Sequence, residues 1–285
     1  MTSPDANPTN PKPPRGQSRR LRDLIILCLV LAPIALVYLL PPDTSFEEVQ
    51  RAGSITACVP SSRPPLAMPG ATDPGFDIAL LEAITRRIGI GLTLNVIPSI
   101  GRDFNPRNWG ITRAGCQIVA GGIVDAPTTR SFLEIIPTGI ATGWAVVAQT
   151  DAPLQKGMKI GVYPGYGGLD RVQLSGLLRK HGMVVSLAAS PDALAAGLKS
   201  GAYDAGVSES LSVRSIADAN PGWFVGWLPE DAGHTSFALG LWKGDLTLKH
   251  KVVDALSALE SEGFVRDLEA RYAILPIDQT AAFAP

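Results

Sequence analysis

Cysteine and histidine are scarce, with three of each in 285 residues. No two of them carry the spacing of a zinc or iron–sulfur site, so the sequence implies no metal and no cofactor. Net charge is nearly absent as well, with 25 basic against 26 acidic residues. The only basic cluster lies within the first 22 residues, whereas a nucleic-acid-binding protein needs a basic stripe on its folded part. The serines of "VSES" (207–210) lack the G-x-S-x-G context of a hydrolase, and no histidine is placed to serve them as base. "GYGG" (165–168) is not a dinucleotide fingerprint, because Asp170 stands where the last glycine is required.

What is present is an apolar fraction of 46% and one long apolar run. The first 23 residues are rich in Pro, Ser and Arg, a composition that remains a disordered tail. Residues 24–40, "LIILCLVLAPIALVYLL", are 17 uncharged residues behind a basic flank. At about 1.5 Å per residue they reach roughly 25 Å, near the shortest spanning helix. They are read as an uncleaved signal anchor or a cleaved signal peptide; no small-x-small cleavage site follows. Cys28 follows Leu27 and sits too early in the run to suit a lipoprotein signal. In either reading the chain beyond about residue 43 is outside the cytoplasm, in the periplasm and tethered to the inner membrane if the helix is kept.

From residue 44 onward, short β-like runs alternate with helical patterns, which predicts an α/β fold with mainly parallel strands. Strands are expected at 54–60, 92–98, 117–122 and 143–149, with a helix in "GFDIALLEAITRRIGI" (75–90). A second set follows the polar stretch "QTDAPLQKG" (149–157). It has strands at 158–163, 183–188 and 202–210, a helix after the 164–168 glycine turn, and one behind the N-cap Ser190. A strand at 236–244 and two helices divided by Gly263 close the chain. The pattern predicts two lobes, 50–143 with 244–275 and 152–235, joined by crossover segments near 143–151 and 234–244. Sites in such sheets lie beyond the carboxyl ends of strands. That puts the Gly121-Gly122 loop and the 164–168 turn on either side of a cleft.

Four stretches in order carry a family resemblance. They are "GSITACVPSSRPPL" with "GFDIALLEAITRRIGI", then "CQIVAGGIVDAPTTRSFLE", then "KSGAYDAGVSES", and finally "LGLWKGDLTLKHKVVDALSALESEGFVRDLEARY". Together they resemble the bacterial extracellular solute-binding proteins of family 3, the periplasmic receptors of amino-acid ABC importers, over roughly residues 50–275. The resemblance implies the two-lobe periplasmic binding protein fold (type II) and a small-molecule anionic or zwitterionic ligand. It also implies an ABC transporter permease as partner, and no enzymatic activity.

It further implies site residues. Arg130 matches the loop arginine that pairs with a ligand carboxylate, a task suited to the guanidinium fork. Gly121 and Gly122 are expected to leave backbone open to close approach of a ligand. Glu209 falls where the family binds a ligand ammonium group, and Asp125 offers a second acceptor. Phe104 and Trp109 are candidates for the aromatic wall that "RPPLAM" (63–68) lacks. Tyr166 and Gly167 replace the usual hydroxyl residues at the second glycine turn, where free N–H groups at a helix start could still hold an anion. Cys58 and Cys116 lie in strands expected to be neighbours; they are read as a disulfide or as buried small hydrophobes. Two alternatives stand beside the receptor. One is an accessory or sensory protein accompanying a periplasmic quinoprotein dehydrogenase. The other is a cyclohexadienyl dehydratase-like enzyme with Glu209 as general acid.

Overall fold

Glycines at positive φ and apolar runs between them set the element boundaries. The computed structural model describes residues 15–38, 42–103, 105–165, 168–229 and 232–284. Contacts divide the chain into two units, Met1–Asp43 and Thr44–Pro285. Helix α1 (Arg15–Tyr38) carries four arginines ahead of its apolar part, with Pro33 inside it. Among the described residues no helix is long and apolar enough to cross a membrane. The spanning helix expected over 24–40 is therefore not shown, and its residues 39 and 40 lie outside the described ones.

In the second unit, α2 (Ser45–Ala52) precedes β1 (Ser54–Val59). Helix α3 (Phe76–Ile88) starts after Gly75 and stops at left-handed Gly89, with Arg86 and Arg87 in its last turn, where the helix dipole favours cations. Then come β2 (Gly91–Val96), a 3-10 turn (Pro106–Trp109), β3 (Ile118–Val124) and α4 (Pro127–Phe132). Strand β4 (Leu133–Ala148) is 16 residues long and begins ten residues before the strand expected at 143. The next run is β5 (Lys159–Val162), α5 (Arg171–Lys180), β6 (Val184–Leu187), α6 (Pro191–Lys199) and β7 (Ala205–Glu209). The Oγ of Ser190 accepts from the Ala193 N–H at 3.0 Å and caps α6. Helix α7 (Ser210–Asp218), β8 (Phe224–Trp227), β9 (His234–Trp242), α8 (Leu246–Ser261) and α9 (Phe264–Arg271) complete the unit.

The strands join in the order β2-β1-β3-β9-β4-β7-β5-β6, with β8 also on β4. Strands β1, β2 and β3 run parallel in one half, and β5, β6 and β7 in the other. Strands β4 and β9 cross between the halves and pair antiparallel with each other. The early part of β4 pairs only with β9, while 144–148 pair with β7 and β8. The register shifts between Pro137 and Ala141, around left-handed Gly139. Proline lacks the ladder donor and glycine relieves the bend, so the crossing strand changes direction there.

One buried cluster runs through both halves, from Ile55, Leu80 and Ile84 by way of Trp144 and Val146 to Ile160, Val162 and Leu178. Helices α8 and α9 pack on α3, and Arg87 clamps Glu262 through two bonds of 2.8 and 2.6 Å. Beyond α9 the chain crosses to the other half. The Leu154 N–H donates to Ala282 O at 2.7 Å, and the Trp227 N–H to Gln279 O at 2.8 Å.

Candidate functional site

The double glycine lies inside β3, within a bulge between Val119 and Ile123, rather than in a loop after the strand. Its backbone is fully engaged by protein. The N–H groups of Gly121 and Gly122 both donate to Asp77 Oδ2, each at 2.8 Å. Arg63 Nη1 donates to Gly122 O at 2.9 Å and to Gly121 O at 3.5 Å. Both residues hold positive φ, 95° and 82°. A Cβ at Gly122 would meet Arg63 Cζ at 2.8 Å, and one at Gly121 would strike Pro60. The expected open backbone is therefore corrected: the glycines are needed for close approach, but by Pro60, Arg63 and Leu66. Asp77 is wholly buried in the first turn of α3. Burial pushes its pKa up to about 6, against the lowering effect of the two N–H bonds and of Arg63.

Arg130 stands on the one-and-a-half-turn helix α4, which folds it back over Asp125. The guanidinium grips that carboxylate through Nε to Oδ1 and through Nη2 to Oδ2, the latter at 2.6 Å. The Asp125 hydrogen bonds hold the Arg130 pKa above the ordinary arginine value. Asp125 is itself fixed by β9: its N–H donates to Ser236 O at 2.9 Å, and its carbonyl accepts from Thr235 Oγ1 at 2.5 Å. The two residues expected to grip different groups of a ligand thus grip each other.

Glu209 ends β7 and caps α7. Its Oε1 accepts from the Leu211 N–H at 2.9 Å, Ser210 Oγ at 2.6 Å and Thr142 Oγ1 at 2.9 Å. With 4% exposure it ties the crossing strand to the second half. Trp109 is 1% exposed and packs with Cys58, Cys116 and Ile123, so it is core rather than an aromatic wall. Phe104, Tyr166 and Gly167 lie outside the described residues. Cys58 and Cys116 form a disulfide, with Cα atoms 5.6 Å apart.

Gly165 and Gly168, ahead of α5, lie against the two halves. A Cβ at Gly168 would lie 3.6 Å from Val124 Cβ and 3.9 Å from Thr129 Oγ1; one at Gly165 would lie 3.7 Å from Glu209 Cβ. Around that turn sit polar groups that the sequence reading missed. Arg171 donates from Nη2 to Gly165 O at 3.2 Å, while its buried Nε has no hydrogen-bond partner. The fully buried Ser208 Oγ has none either. Arg171 also helps to hold the Asp103 pKa below the usual carboxylate range, behind the larger effects of the Asn105 N–H and the Asn108 side chain. A cation three residues past a glycine turn was a legible signal for Arg171; Ser208 carried none.

No family model matches the chain, and no curated protein matches its sequence. Solved structures do match. Several of these are described as amino-acid-binding proteins, and the chain shares their fold. A substrate-binding protein of an ABC uptake transporter from Streptococcus pneumoniae with bound histidine superposes with a TM-score of 0.60 at 17% identity. That match covers 81% of this chain and 96% of the other. A mutant of the arginine-binding protein from T. maritima gives 0.55 at 17% identity, covering 80% and 99%. An ancestral amino-acid-binding protein described as a precursor of cyclohexadienyl dehydratase gives 0.56 at 16%, covering 79% and 97%. Together these show a mixed α/β two-lobe fold of the periplasmic binding protein kind.

Proposed function

We propose that this chain is an exported solute-binding protein that holds a small carboxylate-bearing solute, an amino acid or organic acid, between its lobes for an ABC importer. The observation that carries this reading is the seam at the crossing strands. There Val124 and Thr129, beside Arg130 in the same stretch, lie against Gly168, and Arg171 donates to Gly165 O. A cation on each side of a closable seam suits an anion or the carboxylate of a zwitterion. The unpartnered Arg171 Nε and Ser208 Oγ are donors for which such a ligand would supply acceptors. The structural neighbours described with bound arginine and histidine support the amino-acid class. The basic-flanked apolar segment near the N-terminus supports export.

A thermal-shift panel of L-arginine, L-histidine, L-glutamate and small organic acids on the Thr44–Pro285 unit tests the reading. A ligand at about 100 times its Kd adds roughly 2.7 kcal/mol, which at this size is a rise of several degrees. The shift should vanish in Arg130→Ala or in Arg171→Ala, and the variant that abolishes it identifies the carboxylate partner. Asp125→Asn frees the Arg130 fork and should tighten anion binding by about tenfold, the order of one charge-assisted bond. A panel that stays silent, with Asp125→Asn also silent, would sink the receptor reading.

The second reading, an accessory protein for a periplasmic dehydrogenase, is favoured by one observation: Asp125 already fills the Arg130 fork. A dehydratase reading would use Glu209 as acid, but three donors already occupy its Oε1.

A further inference from the structure

Helix α7 and the tail behind α9 line a cavity of about 270 Å³, apart from the seam: none of Asp125, Arg130, Gly165, Gly168 and Arg171 contributes to it. Its lining draws on both halves. Glu269 belongs to α9 in the first half, and Arg214 and Trp227 to α7 and β8 in the second. Ile140 comes from the crossing strand β4, and Ile274 and Ile277 from the tail. The volume is just under the ~300 Å³ at which small-molecule sites begin, and an apolar lining with a few polar groups is their usual make-up.

Arg214 and Glu269 are the only charged residues of this lining, one of each sign. Neither is well matched by protein. Among the described residues the Glu269 side chain has no hydrogen bond or ion pair. Arg214 meets only Asp218, whose Oδ1 lies 3.3 Å from Nε, and that contact lacks hydrogen-bond alignment: the buried Nε has no hydrogen-bond partner. Asp218 is 53% exposed, so the contact is the weak, screened pair of helix neighbours four apart. The Nη groups of Arg214 bond to no described residue. A buried donor left without an acceptor is rare in native proteins and calls for a partner.

We propose that this cavity is a second ligand site, distinct from the seam, for a small zwitterion with an apolar body. Its carboxylate takes the planar fork of Arg214, which offers parallel donors in the matching geometry. Its ammonium group pairs with Glu269, and its apolar part lies against Trp227 and Ile277. A cation and an anion that line one cavity without pairing to each other select a molecule carrying both signs over a simple acid or amine. Since α9 and α7 belong to different halves, an occupied site holds the halves together on the side of the tail.

The probe is L-leucine, titrated calorimetrically into the full chain. Binding with a Kd below ~1 mM is expected, weakened at least tenfold in Arg214→Gln and in Glu269→Gln, the order of one charge-assisted bond. The analogue 4-methylpentanoate lacks the ammonium group. It should bind at least tenfold more weakly than leucine, and equally well to the wild-type chain and to Glu269→Gln, a pattern that a merely structural Glu269 would not give. Circular dichroism shows whether each variant keeps its fold. Leucine binding that survives both Arg214→Gln and Glu269→Gln would overturn the proposal, as would no binding up to ~10 mM. Leucine binding lost in Arg130→Ala would also overturn it, by placing the ligand at the seam, and would leave the receptor reading standing.

Discussion

Replacing Asp77 by alanine is expected to lower the unfolding free energy by about 3–5 kcal/mol, the usual range when one partner of a buried ionic cluster is removed. Two buried N–H groups, those of Gly121 and Gly122, would lose their acceptor together, and Arg63 would lose an electrostatic partner. The bulge in β3 would then have nothing to hold its positive-φ backbone. Asp77→Asn keeps one acceptor oxygen and should recover much of the loss. The two variants also separate in their pH response. The folded pKa of Asp77, about 6, lies above the ordinary 3.8. The folded state therefore binds the proton more tightly than the unfolded chain does. That contribution is fully present below about pH 4, fades as pH rises through 6, and amounts to up to about 3 kcal/mol. Urea titrations at pH 4.5 and 7 should show the wild-type chain losing stability across this window, while Asp77→Asn lacks that slope. Equal slopes in the two proteins would refute the buried-acid account.

Reducing the Cys58–Cys116 disulfide is expected to remove about 4 kcal/mol. The bond closes a loop of 58 residues, and the chain-entropy estimate for that length lies between about 3 kcal/mol for 15 residues and 4.7 for 100. Both sulfurs are fully buried among Trp109, Ile111, Val119 and Ile123. The bond therefore fastens the chain just before β3 onto β1. For this size the loss corresponds to a fall of about 10 °C in Tm. Calorimetry with and without dithiothreitol measures it, and the double variant Cys58→Ala, Cys116→Ala should melt with the reduced protein. Identical melting of the oxidised and reduced forms would mean that packing alone fixes that segment.

Local signals made much of the fold legible. Left-handed glycines at 89 and 263, the cap at Ser190, and apolar alternation in β1, β5 and β9 mark their elements within a few residues. The first half of β4 was hidden because Pro137 and Gly139 read as a break, whereas the strand passes through them on a bulge. Helix α7 was hidden by its serines. The site was less legible, for a different reason. Arg130 could be singled out from its loop, but its partner Asp125 lies five residues back and meets it only through the short turn of α4. The partners of Gly121 and Gly122 are 44 and more residues away, at Asp77 and Arg63. Glycines in sequence announce a close approach without saying whether ligand or protein makes it.

The segment after α9 alters the mechanics of the crossing. Two strands lying side by side, β4 and β9, leave two rigid bodies a single soft axis about which to swing. The terminal segment is a third attachment, fixed to Trp227 and Leu154 by backbone bonds on both sides of each residue. It runs apart from the paired strands, so it acts as a stay and removes a degree of freedom. Wide separation of the halves must first peel residues 279–284 from β8 and from the 154 edge. Small rotations need not, so any opening of the halves would be limited by a tail that runs apart from both crossing strands.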